Sequence, residues 1–163
     1  MKISRSVVIA AVVAMSGALS PSVFSADTPV KGDFISIKAS ELKWVDAPSL
    51  GPKAKVAVLE GDLKSTEPFT MRAKLPPKLT IGVHTHPTTE RVTVLSGVLY
   101  FSLGDKIDPA KATIYRPGDA FMVPAGASMY AFTKDKETII QIHGTGPWGI
   151  DYQAPADESK TKK

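Results

Sequence analysis

Cysteine is absent from all 163 residues. That excludes disulfides, thiolate metal centres, cysteine nucleophiles and a lipid anchor attached through a lipobox cysteine. Loops of the G-x-x-x-x-G-K-[ST] type and the G-x-S-x-G elbow are missing as well, which leaves nucleotide use and elbow-type ester hydrolysis without residues to carry them. Charge of one sign is scarce. The formal net charge is +4, and Lys2 and Arg5 fall in an N-terminal segment without acids, so the remainder carries 18 basic against 16 acidic residues. An excess of two excludes nucleic acid as an expected partner. The end, "DESKTKK", reads as a solvated, disordered charged tail over 153–163.

Only one long hydrophobic run exists, Val7 to Leu19 within "MKISRSVVIAAVVAMSGALSPSVFSA". It is too short for a membrane span of about 20 residues. Basic residues precede it, and Pro21 and small residues follow it, as in a secretory signal. The expectation is a signal peptide over 1–25 with cleavage near Ser25 or Ala26, a short lead over 26–33, no stable membrane anchor after cleavage, and a periplasmic or secreted product. Without disulfides the exported domain must be held by its core.

What the rest contains is short strands. "FISIK" (34–38), "KVAVLEG" (55–61), "FTMRAKL" (69–75), "TIGVHTH" (80–86), "ERVTVL" (90–95), "VLYFSL" (98–103), "ATIY" (112–115), "AFMV" (120–123), "SMYAFT" (128–133) and "TIIQIH" (138–143) are rich in β-branched and aromatic residues. Breakers such as "LPPK", "HPTT", "RPGD" and "PAGA" recur about every ten residues, the spacing of an all-β sandwich or barrel. "KASELKW" and "DPAK" each have room for one helical turn. Gly126 in "PAG" is expected to make a tight turn.

Histidine is scarce too, with three in the chain, and two of them stand in "GVHTHPTTE". Residues two apart on a strand share a face, so His84 and His86 point the same way. Glu90, at an even offset beyond the Pro87 turn, returns to that face on the next strand. Three metal-capable groups thus surround one point; the plain alternative is a pair of polar strand residues. Tyr100, Tyr130, Arg72 and Arg91 are further candidates to dress a pocket, whereas Trp44 and Trp148 read as packing residues.

The stretch "GVHTHPTTERVTVLSG", with His-x-His, three residues, Glu, six residues and Gly97, resembles the first signature of the cupin superfamily. "GDAFMVPAGASMY" resembles the start of its second signature. "FTMRAKLPP", "TVLSGVLYFSLGDKID", "PAGASMYAF" and "QIHGTGPWGIDY" are similar to small single-domain bacterial cupins. The resemblance implies a cupin-type double-stranded β-helix, a jelly-roll barrel in one domain over 34–152. It also implies a divalent transition metal (Fe, Mn, Ni, Zn or Cu) held by His84, His86 and Glu90, and dimers through an outer sheet.

The match breaks at the fourth ligand, because Met129 stands where the second signature has histidine. Two histidines and a carboxylate remain a sufficient set for Fe(II), and a thioether would favour copper; otherwise Met129 is a core filler. His143 is the other candidate. If 128–133 and 138–143 form a hairpin with a three-residue loop, residue 143 pairs opposite 129 and shares its face. Three functions follow. One is an exported metal-dependent oxygenase or other oxidoreductase acting on a small organic molecule, with Glu90 as base. The second is a cupin that binds a metal or metabolite without turnover, and the third is a structural cupin that has lost its metal.

Overall fold

A computed structural model describes residue 34 and residues 36–153. The expected signal segment, the 26–33 lead and nearly all of the expected tail lie outside the described residues. Among these described residues, period-two alternation of apolar and polar residues gives eleven strands. These are β1 (Val45–Asp46), β2 (Lys55–Glu60), β3 (Pro68–Leu75), β4 (Thr80–Thr85), β5 (Glu90–Ser96), β6 (Leu99–Leu103), β7 (Thr113–Tyr115), β8 (Ala120–Val123), β9 (Met129–Phe132), β10 (Thr138–Thr145) and β11 (Asp151–Tyr152). Three single 3-10 turns, at Ala39–Glu41, Pro48–Leu50 and Pro109–Lys111, are the only helical elements among the described residues.

The strands form two antiparallel sheets, ordered β1-β2-β3-β10-β5-β8 and β11-β4-β9-β6-β7. At the centre of the first sheet, β10 pairs along its whole length with β3 and from Ile139 to His143 with β5. Alternate residues of these three strands face the second sheet and are buried: Met71, Ala73 and Leu75 on β3, Val92 and Val94 on β5, Ile140 and Ile142 on β10. Leu99, Phe101 and Ala131 meet them from the other sheet. Each large apolar side chain withdrawn from water here contributes roughly 1.5–3 kcal/mol, and these layers hold the barrel without any covalent cross-link.

Two expectations from the sequence need correction. Residues 36–38 are not in a strand; the segment turns into the 3-10 helix instead. Nor do 128–133 and 138–143 form a hairpin, because β9 pairs with β4 and β6 in one sheet while β10 pairs with β3 and β5 in the other. The connection after β9 crosses between the sheets. Crossing lets β10 bury both ladder edges between neighbours, which a hairpin at the edge of β9 would forgo.

The tightest turn, β5 to β6, depends on Gly97. Its φ is 76°, and a Cβ there would come within 2.2 Å of the Glu137 carbonyl oxygen and 2.6 Å of Thr138 Oγ1. That hydroxyl accepts from Val98 N at 3.1 Å and donates to Val98 O at 2.9 Å. Gly118, with φ 96°, has nothing within 4 Å of a built Cβ. Gly118→Ala is therefore expected to cost only left-handed strain, about 1 kcal/mol, and Gly97→Ala to cost more than about 3 kcal/mol because strain and collision add. Urea unfolding of the two variants checks the difference; equal losses would contradict it.

Candidate metal centre

The site begins with a fault in a strand. Opposite β9, the β4 register runs Ile81↔Ala131 and then His84↔Met129, so β4 carries one residue more than its partner between these pairs. Such a bulge resets which side chains face inward. Ile81, His84 and His86 are all buried, although unbroken alternation from Ile81 would have turned both histidines outward. Gly82, within the bulge, offers its carbonyl to His84 Nδ1–H at 2.7 Å. A glycine inside a strand pattern is the sequence mark of such a feature, and it was there to be read in "TIGVHTH".

After His86 the chain turns at Pro87 and enters the opposite sheet, where Glu90 opens β5 facing inward. Gly126, with φ 74°, pins this turn by donating its amide to the His86 carbonyl at 2.9 Å. His84, His86 and Glu90 are 5%, 3% and 6% exposed. Together with Met129 they line one interior cavity of about 40 Å³, otherwise walled by apolar groups such as Leu75, Val92, Phe101 and Ile142. That volume has room for an ion with one or two waters, or a ligand of a few atoms.

His86 and Glu90 are oriented from outside the two signatures. His86 Nδ1–H donates to the Gly149 carbonyl at 2.5 Å. The indole Nε1–H of Trp148 donates to Glu90 Oε1 at 3.2 Å, and the same ring stacks on His86 with centroids 5.4 Å apart. Trp148 packs against the core as expected, but its hydrogen bond to a buried carboxylate was not legible in the sequence.

Electrostatics follow from these bonds. With Nδ1 of His86 committed as a donor, its Nε2 faces Glu90 Oε1, 3.5 Å away. Without a shared proton these two atoms are both acceptors in an apolar interior, so the arrangement calls for a proton or a cation between them. Burial, the largest effect, pushes the Glu90 carboxyl up from its ordinary value, against the pull of His86 and Trp148. Burial likewise lowers His84 to about 4, its bond to Gly82 opposing and His86 assisting. Near pH 7 His84 is thus neutral, its Nε2 free to ligate.

Among the described residues no three His, Asp or Glu side chains converge closely enough to hold an ion as they stand. The donor chemistry nonetheless fits one. Both imidazoles have Nδ1 fixed by a carbonyl, the usual arrangement for ligating histidines, and a carboxylate stands beside them. Met129 is 2% exposed, opposite His84 in the register. His143 lies elsewhere: it is exposed, between Thr70 and Arg91 on the outer face of the other sheet. The pairing that would have brought it to Met129 does not form. Arg72 bonds Gln141, Tyr100 stacks on Phe132, and Tyr130 donates to Asp108 O; none of them, nor Arg91, lines the cavity.

Residues 71–139 match the family described as "Cupin domain", a stretch that includes His84, His86, Glu90 and Met129 but not Trp148. The two-sheet architecture matches solved structures over most of the described chain. The fold is a cupin jelly roll. The polyketide cyclase RemF from Streptomyces resistomycificus is 14% identical, with a TM-score of 0.63 over 74% of this chain and 85% of that one. An RmlC-like cupin from Shewanella frigidimarina is 17% identical, TM-score 0.54, over 78% and 95%. An oxalate oxidase is 20% identical, TM-score 0.54, over 77% and 67%. At these identities the likeness is one of cupin fold and carries no activity. No curated protein matches the chain at a significant level.

The two shifted groups act oppositely on stability. The folded pKa of His84 lies below its unfolded 6.5, so its contribution is complete above pH 6.5 and is lost as pH falls towards 4. Glu90, raised above 4.5, binds its proton more tightly when folded and offsets that loss. In metal-free Glu90→Gln only the His84 effect remains, roughly 2 kcal/mol between pH 7 and 5. Urea midpoints at those pH values are expected to fall further for Glu90→Gln than for the unsubstituted protein; an equal or smaller fall would contradict the assignment.

Proposed function

We propose that this protein is an exported member of the cupin superfamily that holds one divalent transition metal through His84, His86 and Glu90 and acts on a small organic molecule as an oxygenase or other oxidoreductase. The observation that carries the reading is the buried approach of His86 Nε2 to Glu90 Oε1 at 3.5 Å, with Nδ1 of His86 already spent on a carbonyl. A cation between them satisfies both acceptors and needs no proton. The export assignment is supported by the N-terminal pattern of basic residues, a 13-residue apolar run and a small-residue end.

A divalent metal bound there would supply Lewis acidity or activate dioxygen. The chain's own residues would do the rest. His84 and His86 would present Nε2 lone pairs held by their Nδ1 bonds. Glu90, whose affinity for a proton is raised by burial, would serve as ligand and, when detached, as the base that takes a proton from a substrate carbon or oxygen. The aliphatic walls would exclude water. Met129 stands against His84, where a thioether gives a soft donor for copper or an apolar wall for a site of three ligands. The small cavity favours a second reading, capture of a metal or small metabolite without turnover.

Anaerobic calorimetry on metal-stripped protein with Fe(II), Mn(II), Cu(I) and Zn(II) tests the site. One equivalent is expected to bind. His84→Ala and His86→Ala are expected to lose more than the roughly 10–100-fold in affinity that removal of a ligand's hydrogen-bond partner costs, and Met129→His to tighten binding. Binding unaltered by all three substitutions would overturn the assignment. Oxygen uptake on admitting air with candidate phenols, diketones or sugars would favour the enzyme, and ligand retention without product the binder.

A further inference from the structure

The strap of residues 146–153, which follows β10, touches the site at consecutive positions. Trp148 bonds Glu90 through its side chain, and Gly149 bonds His86 through its carbonyl. These two partners, one donor and one acceptor, stand far off in sequence, 58 and 63 residues away. The strap is itself anchored at both ends. Gly146 N–H donates to Glu67 O at 3.0 Å and Trp148 N–H to Leu63 O at 2.7 Å. Beyond them, Gln153 N–H donates to Val83 O at 2.9 Å and Tyr152 Oη–H to Ser49 O at 2.7 Å. At Gly146 a Cβ would come within 2.3 Å of Ser65 O, so the backbone there is seated too closely to shift.

We propose that Trp148 is a positioning residue: its indole N–H fixes the Glu90 carboxylate, and with the Gly149 carbonyl it clamps His86 and Glu90 in the relative placement that captures the ion. The inference rests on the metal-binding reading above and extends it to residues beyond the family match. His84 needs no such help, because its own bulge supplies the Gly82 carbonyl. The stacked ring holds the His86 plane from one side, while the hydrogen bond takes one of the two lone pairs of Oε1 and leaves the other for the ion. The clamp therefore orders a carboxylate without occupying it, and a hydrogen bond that orients a ligand in this way is worth about 10–100-fold in metal affinity.

Zinc titration of the stripped full-length protein by calorimetry is the test, with Trp148→Phe, which keeps the ring and removes the N–H, and Trp44→Phe, whose ring lies under Lys74, as control. Trp148→Phe is expected to bind zinc about 10–100-fold more weakly while Trp44→Phe binds as before. In parallel, the Trp148 indole N–H resonance of 15N-labelled unsubstituted protein is expected to shift and saturate at one equivalent of zinc. Equal affinity in Trp148→Phe, with an unmoved resonance, would overturn the clamp and leave the metal site standing. No zinc uptake by the unsubstituted protein would overturn both. Should Trp148→Phe fail to fold, the resonance alone decides: a saturating shift upholds the clamp and an unmoved one refutes it.

Discussion

His86 Nε2 and Glu90 Oε1 face each other 3.5 Å apart inside an apolar barrel, and the site is arranged around that pairing. Burying a carboxylate beside an imidazole is costly unless a proton or a cation is shared between them. The same burial raises the proton affinity of Glu90 and strips His84 of its proton near neutrality. One group is thus readied to trade a proton for a cation, and the other to offer a lone pair.

Geometry is supplied by three unrelated parts of the chain. The β4 bulge turns two histidines inward, the Pro87 turn carries the chain from one sheet to the other and delivers Glu90, and the strap after β10 closes over them. Each part is held by backbone groups: the Gly82 carbonyl, the Gly126 amide and the Gly149 carbonyl. Backbone partners cannot rotate away as side chains do, so the orientation of the imidazoles is a property of the fold.

Much of this was legible in the sequence because it is local. Strand-length runs and regularly spaced breakers gave nine of the strands, and His-x-His with a glutamate after a proline turn named three polar groups that line one cavity. What was not legible depended on long-range pairing. The hairpin that would have joined Met129 to His143 was an inference from adjacency, and a sheet-to-sheet crossing between β9 and β10 defeats it, leaving His143 outside. Trp148 looked like packing because nothing in "GPWG" reveals that a carboxylate 58 residues earlier lies beneath it. Simple alternation put both histidines on one face; their inward turn is achieved through a bulge at Gly82 that alternation does not include.

The most direct test of the central claim is the elemental content of the protein as a cell makes it, expressed with its N-terminal segment and isolated without an affinity tag or chelator, beside an identically prepared Glu90→Leu variant. Inductively coupled plasma mass spectrometry is expected to find close to one equivalent of a single transition metal in the first and little in the second. Equal metal in both, or none in either followed by refusal of added metal, would contradict the account and leave the buried pair bridged by a proton.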